Sequence, residues 1–123
     1  MKRIPPSAMT VDDLVDLFAR IVGAQDESLL VGEYARFNKL FGRMMDVATE
    51  LKNRDGDQRP ALLQLFEHPN MQVRLQAAKL TLAVAPVEAR AQLQAIADSQ
   101  WFPQAGDAGM SLLNLDRGVF KPE

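Results

Sequence analysis

The sequence predicts an all-α protein of stacked helical hairpins, about six helices in a short α–α superhelix, and three observations lead there. Apolar residues recur at intervals of three and four along most of the chain, the period that lines one face of a helix. No stretch shows the sustained alternation or the Val, Ile and Thr enrichment that strands require. A faint internal repeat is also present. A shift of 35 residues lays Gln72, Val73, Leu75, Gln76, Ala77, Lys79 and Leu80 over Asp107, Ala108, Met110, Ser111, Leu112, Asn114 and Leu115, apolar on apolar and polar on polar. Periods of this size mark helical hairpins that stack.

The first helix begins at Thr10, whose hydroxyl and the Asp13 three residues on resemble a capping box, with Asp12 and Asp16 adding charge that the helix dipole favours. Its core face is Val11, Leu14, Val15, Phe18, Ile21 and Val22. A second, longer helix is expected from about Ser28 to Asn53, because Leu30, Tyr34, Phe37, Phe41, Met44, Ala48 and Leu51 step by four and three without a break. Glu33, Arg36, Lys39, Arg43, Asp46 and Glu50 then form its solvated side. Asn53-Arg54-Asp55-Gly56-Asp57 is a turn. It is not a calcium loop, since the places needing an acid hold Leu51 and Leu62.

Pro60 suits the first position of a short third helix with Leu62, Leu63, Leu65 and Phe66. The turn Glu67 to Asn70 precedes a fourth helix, which carries Val73, Ala77, Leu80 and Val84 and ends at Ala85-Pro86. A fifth holds Ala89, Leu93, Ile96 and Ala97. After a loop from Ser99 to Gly106, a sixth holds Ala108, Met110, Leu112, Leu113 and Leu115, closed by Gly118 in the left-handed conformation. The tail Phe120-Lys121-Pro122 is expected to leave the fold, and Trp101 and Phe102 to plug the end of the core rather than stand out as an aromatic anchor.

At 123 residues the chain has room for one hydrophobic core, so residues 1–123 are expected to form a single domain. With 47% hydrophobic and 24% charged residues it has the composition of a globular protein. Its net charge is −2, with an isoelectric point near 5.4 and basic residues scattered among acids. That distribution offers no grip on a phosphate backbone, so nucleic acid is not an expected partner. Met1-Lys2-Arg3 leads into no apolar run and no window could cross a bilayer, so neither a secretory leader nor a membrane partner is expected. The absence of cysteine removes disulfides and thiolate chemistry and suits the cytoplasm, the expected compartment.

Residues able to do chemistry are sparse. His68 is the sole histidine, no nucleophile adjoins it, and it reads as a turn residue before Pro69. The glycines of Gly106-Asp107-Ala108-Gly109 suggest close helix packing, because Asp107 repels any anion at that helix start. No carboxylate lies in an apolar run that would raise its pKa. No catalytic residue, metal site or cofactor is therefore expected.

Pro60 to Pro86, with Leu62, Leu63, Leu65, Phe66, His68-Pro69-Asn70, Val73-Arg74, Ala77-Ala78 and Leu82, resembles a HEAT repeat. That resemblance implies that Arg74 braces the turn and that Ala77 and Ala78 let helices approach. The chain as a whole resembles domain-of-unknown-function family twenty-nineteen, small bacterial HEAT/armadillo-like proteins. The residues that carry this are Gly32-Glu33-Tyr34, Phe37-Asn38, His68-Pro69-Asn70, Val73-Arg74-Leu75 and Phe102 to Met110. The family brings a fold and no activity.

Such scaffolds bind proteins, so the expected function is a non-enzymatic protein-binding module, an immunity-type inhibitor or an adaptor in bacteria. The rivals are an accessory subunit or structural homo-oligomer of a metabolic system and, behind these, a HEAT-like enzyme such as a base-excision glycosylase, which would need a basic groove. The 35-residue register sets Gln72, Gln76 and Lys79 beside Asp107, Ser111 and Asn114, and these six are the expected partner-binding surface.

Overall fold

The computed structural model describes residues 4–123; the charged start Met1-Lys2-Arg3 lies outside them. A 3-10 turn, Pro6–Ala8, leads into α1 (Val11–Leu30) and α2 (Tyr34–Asn53); a 3-10 helix, Arg59–Glu67, precedes α3 (Met71–Leu80), α4 (Pro86–Asp98) and α5 (Gln104–Asp116). No strand occurs among the described residues. The chain forms two compact units, Met1–Ala61 and Leu62–Glu123.

In the first unit Thr10 caps α1, its hydroxyl accepting the Asp13 amide at 3.1 Å. The hairpin core joins Leu14, Phe18, Ile21 and Val22 of α1 to Leu40, Met44, Val47 and Leu51 of α2. Each of the larger of these stabilises the fold by roughly 1.5–3 kcal/mol of burial. The long helix expected from Ser28 is interrupted. α1 runs on to Leu30 and stops at Gly32, which sits at φ +74. The Gly32 amide bonds back to the Leu29 carbonyl at 3.3 Å and the Glu33 amide to that of Ser28 at 2.9 Å. This is the paired closure that ends a helix on a left-handed residue. Restarting at Tyr34 turns the apolar stripe, so Leu40 and Val47 enter the core while Leu30, Tyr34 and Phe41 stand exposed.

Two polar groups are sealed in this hairpin. The Gln25 amide donates to the Met44 sulfur at 3.4 Å, and the fully buried Ser28 hydroxyl has no hydrogen-bond partner among the described residues. Beyond α2, Arg54 bonds Glu50 at 2.9 Å and the Pro6 carbonyl at 3.2 Å, tying the amino-terminal turn to the helix end. Asp57, in the left-handed region at φ +53, receives the Arg59 guanidinium at 2.7 Å. That hydrogen bond holds its carboxyl below the usual aspartate value.

The expected third helix is a 3-10 segment that opens around Pro60, which has no amide to donate, at the end of the first unit and continues into the second. Asn70 caps α3, its side-chain oxygen accepting the amides of Gln72 at 2.9 Å and Val73 at 3.2 Å. α3 ends at Leu80, short of the expected Ala85-Pro86 boundary. The buried Thr81 hydroxyl donates to the Ala77 carbonyl at 2.8 Å and the Ala78 carbonyl at 3.2 Å, closing acceptors that another turn would have used. Pro86 then opens α4 at its first position.

Leu75, Ala78, Leu82, Ala89, Leu93, Ile96, Ala108 and Leu112 form the core on which α3, α4 and α5 converge. α5 starts at Gln104, ahead of the expected loop end at Gly106. It closes with the same device as α1: Gly118, at φ +70, bonds the Leu115 carbonyl at 3.2 Å, and Val119 bonds that of Asn114 at 2.9 Å.

Trp101 and Phe102 are 63% and 69% exposed and do not plug the core. The small residues Ala105 and Ala108 close that end instead, and the Phe102 ring lies outside them, 3.8 Å from where Gly106 would carry a Cβ. Nothing lies within 4 Å of that place at Gly109, so close packing does not account for this second glycine.

Candidate functional site

The expected binding residues lie on α3 and α5, and the second unit divides them in two. Gln72 and Gln76 are only 4% exposed and belong to the interior. Their positions on α3 fall between Val73, Leu75, Ala77 and Ala78, all buried, so this helix has almost no solvated side. The Gln72 side-chain oxygen accepts from the Gln104 amide at 3.0 Å, a buried bond between α3 and α5. A polar amide predicts a surface position, and packing overrides it here. With its oxygen bonded to Gln104, the neutral amide of Gln72 is tolerated inside.

The other four, Lys79, Asp107, Ser111 and Asn114, line one concavity of about 330 Å³ together with Leu82, Met110 and Phe120. Lys79 Nζ lies 3.0 Å from Asp107 Oδ1, and the Ser111 hydroxyl donates to the same oxygen at 3.3 Å. Both charged side chains remain partly exposed, so this bridge is screened and contributes little to stability. It does hold the ammonium and the carboxylate as one neutral rim beside the apolar Leu82, Met110 and Phe120.

Phe120 was expected to leave the fold and instead turns back, its amide bonding the Asn114 carbonyl at 3.2 Å. The reversal follows the left-handed backbone at Gly118, φ +70, which turns the chain back along the last turn of α5. Leu82 and Met110 complete the wall although their spacing predicts core positions; Met110 is exposed in the structure.

Arg74 does not line the concavity, and its Nε donates to the His68 carbonyl. His68 Nδ1 in turn accepts the Asn70 amide at 3.0 Å, which engages the only imidazole in shaping a turn. Ala77 and Ala78 are fully buried. Among the described residues no three His, Asp or Glu side chains gather as a metal site, and no helix is long and apolar enough to cross a membrane. The concavity thus offers an apolar wall, a neutral ion pair and small hydrogen-bonding groups.

The family described as "Domain of unknown function (DUF2019)" matches residues 12–116. Among solved structures, the crystal structure of the protein RPA1889 from Rhodopseudomonas palustris CGA009 is similar at 64% identity with a TM-score of 0.95, over 98% of this chain and 100% of that one. No curated protein matches the chain.

Proposed function

Because the chain belongs to the DUF2019 family, which lends it a fold but no activity, its function must be read from its own surface, and we propose a non-enzymatic protein-binding module. The concavity lined by Lys79, Leu82, Asp107, Met110, Ser111, Asn114 and Phe120 carries this reading. It takes one apolar side chain of a partner against Leu82, Met110 and Phe120, while Lys79, Asp107, Ser111 and Asn114 meet the partner's backbone and polar groups around it. The HEAT-like pattern of α3 and its preceding turn supports the same reading, since inner helices of stacked hairpins are common docking faces. In a bacterium this suits an immunity-type inhibitor or an adaptor, acting in the cytoplasm.

The test begins with a partner captured on the tagged protein and verified by titration with purified components. Met110→Glu with Ser111→Arg is expected to weaken that binding at least tenfold without moving the melting temperature. Arg36→Glu with Arg43→Glu, in the first unit, is expected to leave it unchanged. Undiminished binding by the first pair sinks the proposal, and loss through the second pair moves the site to α2.

A further inference from the structure

α2 presents three sides rather than two. One is buried: Leu40, Met44, Val47, Ala48 and Leu51. The charged residues Arg36, Lys39, Arg43, Asp46 and Glu50 occupy the second. The third is exposed and, from Tyr34 to Thr49, free of charge, with Lys52 at its carboxyl-terminal end. Tyr34, Phe41 and Met45 stand on it at i, i+7 and i+11, one line along the helix, with exposures of 68%, 41% and 37%. Asn38, Gly42 and Thr49 fill the space between them, also exposed. A solvated helix has no need of a tyrosine, a phenylalanine and a methionine in line on its outer surface. At Gly42 nothing lies within 4 Å of where a Cβ would stand, which leaves room for another backbone to come close.

The charges beside this face identify what covers it. Along α2 the basic residues Arg36, Lys39 and Arg43 precede the acidic Asp46 and Glu50. Two parallel copies of the helix would set like charges against like. Two antiparallel copies, related by a twofold axis near Gly42–Arg43, set the basic half of each against the acidic half of the other. In that register Phe41 meets Met45 of the second copy, a favourable aromatic–sulfur pairing. Lys39 meets Asp46 of the second copy on the rim, and neither residue has an ion pair among the described residues. Tyr34 then lies over Lys52 of the second copy. The charges and the apolar line are both self-complementary in this arrangement, and an isologous dimer requires such self-complementarity. We propose that α2 is a homodimer interface, a second copy of the chain packing antiparallel on Tyr34, Phe41, Gly42 and Met45. This surface lies on the first unit and does not depend on the concavity of the second.

One helix pair makes an interface at the small end of specific contacts, so micromolar dissociation is expected. Sedimentation equilibrium of the full chain over a wide concentration range reads it directly. The parent should show a monomer–dimer equilibrium. Phe41→Asp and Gly42→Leu should each remove the dimer while circular dichroism shows the parent's helicity. Asp46→Lys, which sets lysine against Lys39 of the second copy, should weaken the dimer severalfold, and adding Lys39→Asp should restore it. That rescue belongs to the antiparallel register alone. A parent monomeric at every concentration reached overturns the proposal, as does a dimer indifferent to Phe41→Asp. A double charge swap that binds no better than Asp46→Lys overturns the register.

Discussion

Replacing Arg74 by alanine tests how the turn between the 3-10 helix and α3 is held. Three ties close that turn: the Arg74 guanidinium on the His68 carbonyl, the Asn70 amide on the His68 ring, and the Asn70 side chain on two amides of α3. Arg74→Ala removes the first and leaves the other two. The lost bond is charge-assisted and partly buried, so the stripped carbonyl is only partly rehydrated, and the loss is about 1–3 kcal/mol. Helix propensity offsets little of this, because arginine and alanine both favour the helix.

With an unfolding entropy of ~2.1 cal/mol/K per residue, cooperative unfolding of all 123 residues converts 1 kcal/mol into about 4 °C, so the melting temperature should fall by about 4–12 °C. Urea unfolding followed by circular dichroism should show a lower midpoint with an unchanged slope. Arg74→Lys should recover only part of the loss, since an ammonium on a flexible stem does not place a donor as the fixed guanidinium plane does. A midpoint equal to the parent's would refute this account of the turn.

Two further outcomes are expected. Trp101→Ala should change stability by no more than ~0.5 kcal/mol, as befits an exposed side chain, and Trp101, the single tryptophan, should be quenched by acrylamide as freely as indole in water; a shielded fluorophore would contradict its position. Asp57 has its pKa lowered by Arg59, so it stabilises the fold above the unfolded value near 3.8 and the benefit is lost as the pH falls through the folded value. Asp57→Asn should therefore be less stable than the parent at neutral pH and converge on it in strong acid, and a gap that persists in acid would exclude the Arg59 hydrogen bond as its cause.

Much of the fold could be read from side chains that act locally. Thr10 and Asp13, Pro86 and Gly118 mark helix ends through chemistry confined to a few residues, and each stands where that chemistry places it. Gly32 carried the same kind of signal as Gly118, but the step from Leu30 to Tyr34 and Phe41 hid it, because a four-residue spacing looks continuous across a left-handed break. Thr81 ended α3 through a hydroxyl that a propensity argument does not count.

The candidate site was half legible. Repetition placed α3 and α5 together, and Lys79 and Asp107 do meet, yet repetition says nothing about depth. Gln72 and Gln76 lie inside because α3 is enclosed on nearly every side, a fact of packing with no mark at those two positions. Phe120 joined the wall through a chain reversal that only the backbone at Gly118 dictates.

The Gln72–Gln104 bond has a consequence for how α3 and α5 find each other. An interior of leucine and alanine alone is permissive, since a helix sliding by one turn past its neighbour exchanges one smooth surface for another. The bond between the two amides forms at one relative position of α3 and α5 and is lost when either helix slides. The pair therefore works as a key between two helices rather than as glue. A leucine at both places could raise the melting point while loosening the alignment of Lys79 with Asp107, so the concavity owes its shape to two residues that it does not contain.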